Sequence, residues 1–233
     1  MSNALRGLVT ALAVIAWGAQ AQDVAPPQQV FAPQSGKAPV VVVFSGQTGM
    51  QAYHQTAQQI ADAGFHVVLV DGNDFWLKDT RKAWGLVKDV ITRAQSGPAV
   101  QPDKVGVVGY SLGGGVALAY AAQMPDLVAT VAVSYPLTSF IKEPAAWVAK
   151  IKVPVLMLTG TADTYKNCCL IDTARQLAQA AAAAATPPML TLHEYNGVGH
   201  GFNLATAAPR DQASGQDAMK RTIALLKQAL PTQ

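Results

Sequence analysis

The chain has 233 residues, half of them hydrophobic and 13% charged. That is enough apolar material for one sizeable core, and it excludes the composition of a disordered protein. The formal net charge of +3 is small and its basic residues are scattered rather than interleaved with aromatics, so no nucleic-acid footprint is expected.

Residues 1–21 differ from the rest. Arg6 precedes an uncharged run from Gly7 to Gln22 whose apolar centre, Leu8 to Trp17, is about ten residues long, and Ala19-Gln20-Ala21 sets small residues two apart. This is the pattern of a secretory signal peptide cleaved after Ala21, and it predicts a secreted, periplasmic protein. A membrane span needs about twenty apolar residues, and no other stretch supplies them, so no span is expected after the signal is removed. Removal deletes Arg6 and lowers the side-chain net charge from +3 to +2. Asp23 to Gln34 is rich in Pro and Gln, and residues 22–38 read as a mobile N-terminal arm in front of a single domain, 39–233.

The domain opens with Pro39 to Ser45, a continuous β-branched run of the kind that forms a strand buried on both faces. A turn, Gly46 to Gly49, leads to helical spacing over Gln51 to Ala63, which ends at Gly64. The pattern then repeats. Phe65 to Val70 is a second strand and Thr80 to Ala94 a helix; Lys104 to Val108 is a third strand and Leu112 to Gln123 the helix after it. Val128 to Ser134 and Val153 to Thr159 are the next strands. The short gap between them leaves room for one helix, around Ala145 to Lys150, and none for a cap domain. Asp172 to Ala185 is an Ala-rich helix stopped by Pro187-Pro188, Met189 to Tyr195 a last strand, and Ala213 to Leu230 an amphipathic helix. Strands alternating with helices imply an α/β fold with a doubly wound, mostly parallel sheet.

Such a sheet carries its functional groups at the carboxyl ends of its strands. After the third strand stands Gly109-Tyr110-Ser111-Leu112-Gly113, a G-x-S-x-G in the strand–turn–helix setting of a nucleophile elbow. After the fifth comes Gly160-Thr161-Ala162-Asp163, and after the last Gly199-His200-Gly201-Phe202. A serine hydroxyl needs a neutral imidazole to take its proton, and the imidazole needs a carboxylate to hold its tautomer. Ser111, His200 and Asp163 are therefore the candidate nucleophile, base and acid, with Asp172 the weaker choice of acid. The backbone N–H groups of Leu112 and Gln47, or Gly46 in its place, are the candidate oxyanion donors. Phe75, Trp76, Tyr135, Leu137 and Phe140 follow strand ends and are candidate pocket walls.

The other histidines carry no such context: His66 and His193 lie inside strands, and His54 opens the first helix, where surface capping is the simpler role. The histidines and the two cysteines show none of the spacings of a metal site, so no metal is expected. Cys168 and Cys169 are adjacent, which rules out a long-range staple and leaves a vicinal bridge or two free thiols.

From Pro39 onward the chain resembles the dienelactone hydrolase family of α/β-hydrolases. The resemblance rests on Gly106 to Gly115, the turn Gly160 to Asp163, and Gly199-His200-Gly201-Phe202. It implies a small hydrolase without a large cap, acting through Ser111, Asp163 and His200 without cofactor on a small ester or lactone. Members that act on dienelactone have cysteine where Ser111 stands, His-Glu where Ser45-Gly46 stand, and an arginine four residues after the histidine, where this chain has Leu204. These departures leave the Ser–His–Asp set intact, put Leu204 among the candidate pocket residues, and point to neutral esters or lactones. The same residues also serve two alternatives: an acyltransferase, and a catalytically silent periplasmic binding or assembly protein on the same fold.

Overall fold

The computed structural model describes residues 25–33, 36–97, 99–101, 103–185 and 187–230. The expected signal peptide and its cleavage site lie outside the described residues. Seven strands form one sheet: β1 (Gln28–Phe31), β2 (Val40–Phe44), β3 (His66–Val70), β4 (Val105–Tyr110), β5 (Val128–Ser134), β6 (Val155–Gly160) and β7 (Leu190–Tyr195). Between and after them run α1 (His54–Asp62), α2 (Thr80–Ala94), α3 (Leu112–Ala119), α4 (Pro144–Val148), α5 (Ile171–Ala184) and α6 (Gln212–Ala229).

The valine run explains the layering. Every residue of β2 is buried, and successive side chains point to opposite faces. Val40, Val42 and Phe44 join a core layer with α2, α3 and α5 residues such as Ile91, Val116 and Leu177. Val41 and Val43 join the opposite layer, with Ile60 of α1 and Leu226 of α6. Each fully buried aliphatic side chain contributes about 1.5–3 kcal/mol relative to exposure, so a strand apolar on both faces is stable only between two helical layers.

The strand order is β1-β3-β2-β4-β5-β6-β7, parallel throughout except for β1. The chain moves from β2 outward to β3, then returns to the other side of β2 to lay down β4. The order therefore reverses between β2 and β4, and the crevice at their carboxyl ends is where doubly wound sheets bind ligands. The loop ends there are Ser45 and Ser111.

Three expectations are adjusted. Residues 22–38 are not a mobile arm throughout: Gln28–Phe31 pair antiparallel with β3, Phe31 against Val67 and Gln28 against Val70, and Ala38 bridges to Val100. The open edge of β3 supplies backbone donors and acceptors that need partners, and that need outweighs the Pro- and Gln-rich local composition. Both helices expected to run on from turns begin or end in a tight turn instead, Met50–Tyr53 before α1 and Ala121–Gln123 after α3. β4 runs two residues further than expected, carrying Gly109 and Tyr110 into the sheet.

Candidate active site

β4 ends at Tyr110 and α3 starts at Leu112, so Ser111 alone turns the chain. It does so at φ 51° and ψ −115°, a positive-φ conformation that costs a non-glycine residue about 1–3 kcal/mol. Three backbone hydrogen bonds hold it: Ser111 N–H donates to the Ser134 carbonyl at 3.1 Å, and its own carbonyl accepts from Gly115 N–H at 3.1 Å and Leu137 N–H at 2.8 Å. Space explains the flanking glycines. A Cβ on Gly113 would collide with the carbonyl oxygens of Phe44 and Ser45, and one on Gly109 with the backbone of Gly113 and Gly114. The elbow is thus pressed against the end of β2.

His200, in the turn after β7, reaches Ser111: its Nε2 lies 3.0 Å from Oγ. Its Nδ1 lies 2.7 Å from Oδ2 of Asp163, in the turn after β6. A carboxylate only accepts, so Nδ1 carries the proton and Nε2 presents its lone pair to the serine hydroxyl. The Asp163 side chain has no exposed surface, and its second oxygen accepts the backbone N–H of Tyr165 at 3.1 Å. A buried charge is tolerable only when hydrogen-bonded in this way. Two aromatics clamp the imidazole: Tyr135 meets it edge-on with centroids 4.6 Å apart, and Tyr165 stacks on it at 4.5 Å and 17°.

Across the crevice, the turn after β2 is braced by the turn after β3. Ser45 Oγ donates to Asp71 Oδ1 at 3.4 Å and accepts Gly72 N–H at 3.2 Å, and Asn73 Nδ2 donates to the Gln47 carbonyl at 3.3 Å. A Cβ on Gly46 would strike the Tyr53 hydroxyl and lie 3.1 Å from Ser111 Cβ. That hydroxyl occupies the space into which a side chain at position 46 would project. Burial raises the Tyr53 hydroxyl above its ordinary pKa and the Tyr135 hydroxyl well above it, so both stay neutral. The Tyr135 oxygen lies near Tyr53 without the geometry of a hydrogen bond. Leu112 is the first residue of α3, so its N–H has no carbonyl within the helix to bond. Gln47, which is exposed, follows Gly46 in the turn that reaches the elbow.

The candidate walls divide. Leu137 is half-buried at the elbow, with its N–H on the Ser111 carbonyl. Trp76 is half-buried and packs at 5.0 Å on Phe140, which in turn meets Trp147 edge-on. Phe75 is fully buried against Phe44, and Tyr135 is fully buried behind His200, so these two are core rather than open wall. Leu204 lines a polar groove of about 300 Å³ with Gln55, Gln59, Asn203 and Gln216, which none of Ser111, Asp163 and His200 borders. Asp172 is exposed, 3.8 Å from Arg175. His54 meets Phe31 edge-on, and His193 lies 3.7 Å from Asp217.

Two contributors, both tyrosines, had no signal in the sequence. Tyr53 and Tyr165 act through contacts between distant loops, although an Asp with a residue two positions on is the spacing of a local carboxylate-to-backbone turn. Lys166 Nζ donates to Gln47 Oε1 at 3.0 Å and stands 5.1 Å from the centroid of the Tyr165 ring, joining two loops across the crevice. Cys168 and Cys169 form a vicinal disulfide. With His200 they make the one group of potential metal ligands among the described residues, their donor atoms within 4.8 Å of one another, which sequence spacing did not indicate.

Similarity to known proteins agrees with this fold. A match to the protein usf of Aquifex pyrophilus is 30% identical over 131 residues and spans about half of each chain, 55% of this one and 53% of that. Among solved structures, a candidate dienelactone hydrolase from Klebsiella pneumoniae subsp. pneumoniae superimposes with a TM-score of 0.69 at 19% identity, over 85% of this chain and 92% of that one. Thermogutta terrifontis esterase 2, in a form phosphonylated by sarin, gives 0.67 at 15% identity, over 88% and 91%. At those identities the two structures establish the α/β-hydrolase fold. The dienelactone hydrolase family profile matches residues 72–230, from the turn after β3 to the end of α6, and the chain therefore belongs to the dienelactone hydrolase family.

Proposed function

We propose that this protein is a serine hydrolase of carboxylic esters or lactones that works through an acyl-enzyme on Ser111, and that it acts outside the cytoplasm after loss of residues 1–21. The observation that carries the reading is the continuous line from Ser111 Oγ through His200 to Asp163, at 3.0 and 2.7 Å. In this mechanism His200 Nε2 takes the hydroxyl proton as Oγ attacks the substrate carbonyl carbon, and Asp163 stabilises the imidazolium that forms. The N–H groups of Leu112 and Gln47 meet the developing oxyanion; one such donor supplies about 2.7–4 kcal/mol. The tetrahedral intermediate collapses, the alkoxide leaves with the proton from Nε2, and water repeats the sequence in reverse to release the acid. Leu137 and Trp76 give the acyl group apolar contact. Neutral short-chain esters or lactones are the proposed substrates, since Leu137 and Trp76, the half-buried candidate walls, supply no charge for a carboxylate.

The Thermogutta esterase is phosphonylated by sarin, and a fluorophosphonate is the matching probe here. Intact mass is expected to show one adduct per chain, mapped by peptide sequencing to Ser111 and absent in Ser111→Ala. An unlabelled protein, or an adduct on another residue, removes the assignment.

A further inference from the structure

The disulfide beside the imidazole suggests a second ligand for the same pocket. The sulfurs of Cys168 and Cys169 and a ring nitrogen of His200 lie within 4.8 Å of one another. Around one tetrahedral zinc, with bonds of about 2.3 Å to sulfur and 2.0–2.1 Å to nitrogen, neighbouring donor atoms stand about 3.5–3.8 Å apart. No pair of the three donors is thus more than about an ångström too far apart for that spacing, and opening the bridge frees the two sulfurs to separate to it. In the closed disulfide the sulfurs are not thiolates and bind no zinc.

What keeps the pair in place does not depend on the bridge. The Cys168 carbonyl accepts the N–H groups of Thr138 and Ser139 at 2.8 and 2.9 Å, which tie this loop to the segment after β5. Cys169 is buried, at 2% exposure, whereas Cys168 is only partly covered and gives a reductant access. On the other side His200 Nδ1 is fixed by Asp163, so the nitrogen free to bind a cation is Nε2, the atom that faces Ser111.

We infer that reduction of the Cys168–Cys169 disulfide creates a soft three-donor site, two thiolates and His200 Nε2, for a divalent cation of the zinc class, and that occupancy switches the enzyme off. A dithiol reductant transfers two electrons and two protons: its own sulfurs close into a disulfide and the protein gains two thiols. Zinc then displaces the two thiol protons and takes the Nε2 lone pair, with the fourth position left to water. Ser111 thereby loses its proton acceptor. The inhibition half of the inference rests on the proposed hydrolytic role of His200; the metal-binding half does not.

The test uses cobalt(II) as a coloured probe and zinc(II) as the inhibitor. The full-length protein is reduced with a water-soluble phosphine, desalted anaerobically and titrated with cobalt chloride. The expected result is one equivalent bound, with a sulfur-to-cobalt charge-transfer band, in the reduced protein and in reduced Ser111→Ala, and no band in the oxidised protein. His200→Ala should weaken binding by at least about tenfold. Zinc chloride at micromolar concentration should lower ester turnover of reduced enzyme by more than about tenfold and leave oxidised enzyme unaffected. Absence of the band in reduced, cooperatively folded protein overturns the site. A band without zinc-dependent loss of turnover overturns the switch. If no form of the protein hydrolyses esters, the hydrolase reading fails while the cobalt titration still decides the site.

Discussion

Two loops meet at His200, and they are built on opposite plans. The elbow between β4 and α3 is enclosed, and its glycines are demanded by backbone packed against backbone: the carbonyls of Phe44 and Ser45 sit where a Cβ on Gly113 would be. The loop between β6 and α5 is open. It places Lys166 and Asn167 in left-handed conformations at φ 48° and 51°, both exposed, where glycine would carry no penalty. The first loop is constrained by volume around its one strained residue, Ser111, whereas the strained residues of the second lie in the open and are held in place by the contacts of Asp163, Tyr165 and Cys168. Chemistry-bearing geometry can be fixed either by leaving no room for alternatives or by tying a strained segment down at several points.

The largest effects test whether the two loops act as one unit. Ser111→Ala and His200→Ala are each expected to lower kcat for a simple ester by about 10⁴–10⁶, with the double variant little worse. Steady-state kinetics retaining more than about a tenth of the activity in Ser111→Ala would sink the assignment. Asp163→Asn should cost about 10⁴ through the wrong imidazole tautomer, while Asp172→Asn, on an exposed helix turn, should change little. The reverse ranking would move the acid from the loop to α5.

The plans themselves separate under substitution. Gly113→Ala has to displace backbone at the tip of β2 and is expected to destabilise the fold by about 3 kcal/mol in urea unfolding; a value below about 1 kcal/mol would mean that the elbow has slack. In kcat/KM, a neutral short-chain ester should exceed its carboxylate-bearing analogue with the same leaving group by about tenfold, or about 1.4 kcal/mol. An anionic advantage that shrinks with salt would transfer selectivity to Lys166, the cation of the open loop. The smallest effect comes from Lys166→Gly. Relief of positive φ should outweigh the added unfolded-state entropy and stabilise the protein by about 0.5 kcal/mol, read from the urea midpoint at constant slope. A loss of stability would show that the Gln47 contact outweighs the strain.

The elbow was legible because its determinants are consecutive. Gly109-Tyr110-Ser111-Leu112-Gly113 states the strand end, the turn and the steric demand within five residues, and strand-end placement brought Asp163 and His200 into the same argument. The pocket walls were not legible for the converse reason. Phe75 and Tyr135 follow strand ends just as Leu137 and Trp76 do, yet pack inward, since which way a residue after a strand faces depends on the segment arriving from elsewhere. β1 was missed on similar grounds: its partner, β3, is nearly forty residues away and its own sequence has no alternation to announce it.

The order of elements, the two-sided burial of β2 and the three strand-end side chains that meet, Ser111, His200 and Asp163, follow from the sequence alone, since periodicity, glycine spacing and strand-end position are local properties of the chain. Tertiary structure decided what depends on separation in space rather than along the chain. It set Tyr165 on the His200 ring and the Tyr53 hydroxyl in the space beside Gly46. It braced Gln47 through Asn73 and brought two adjacent cysteines to the imidazole thirty residues on. Each is a contact between loops whose relative placement comes from the twist and order of a sheet, which no stretch of residues encodes by itself.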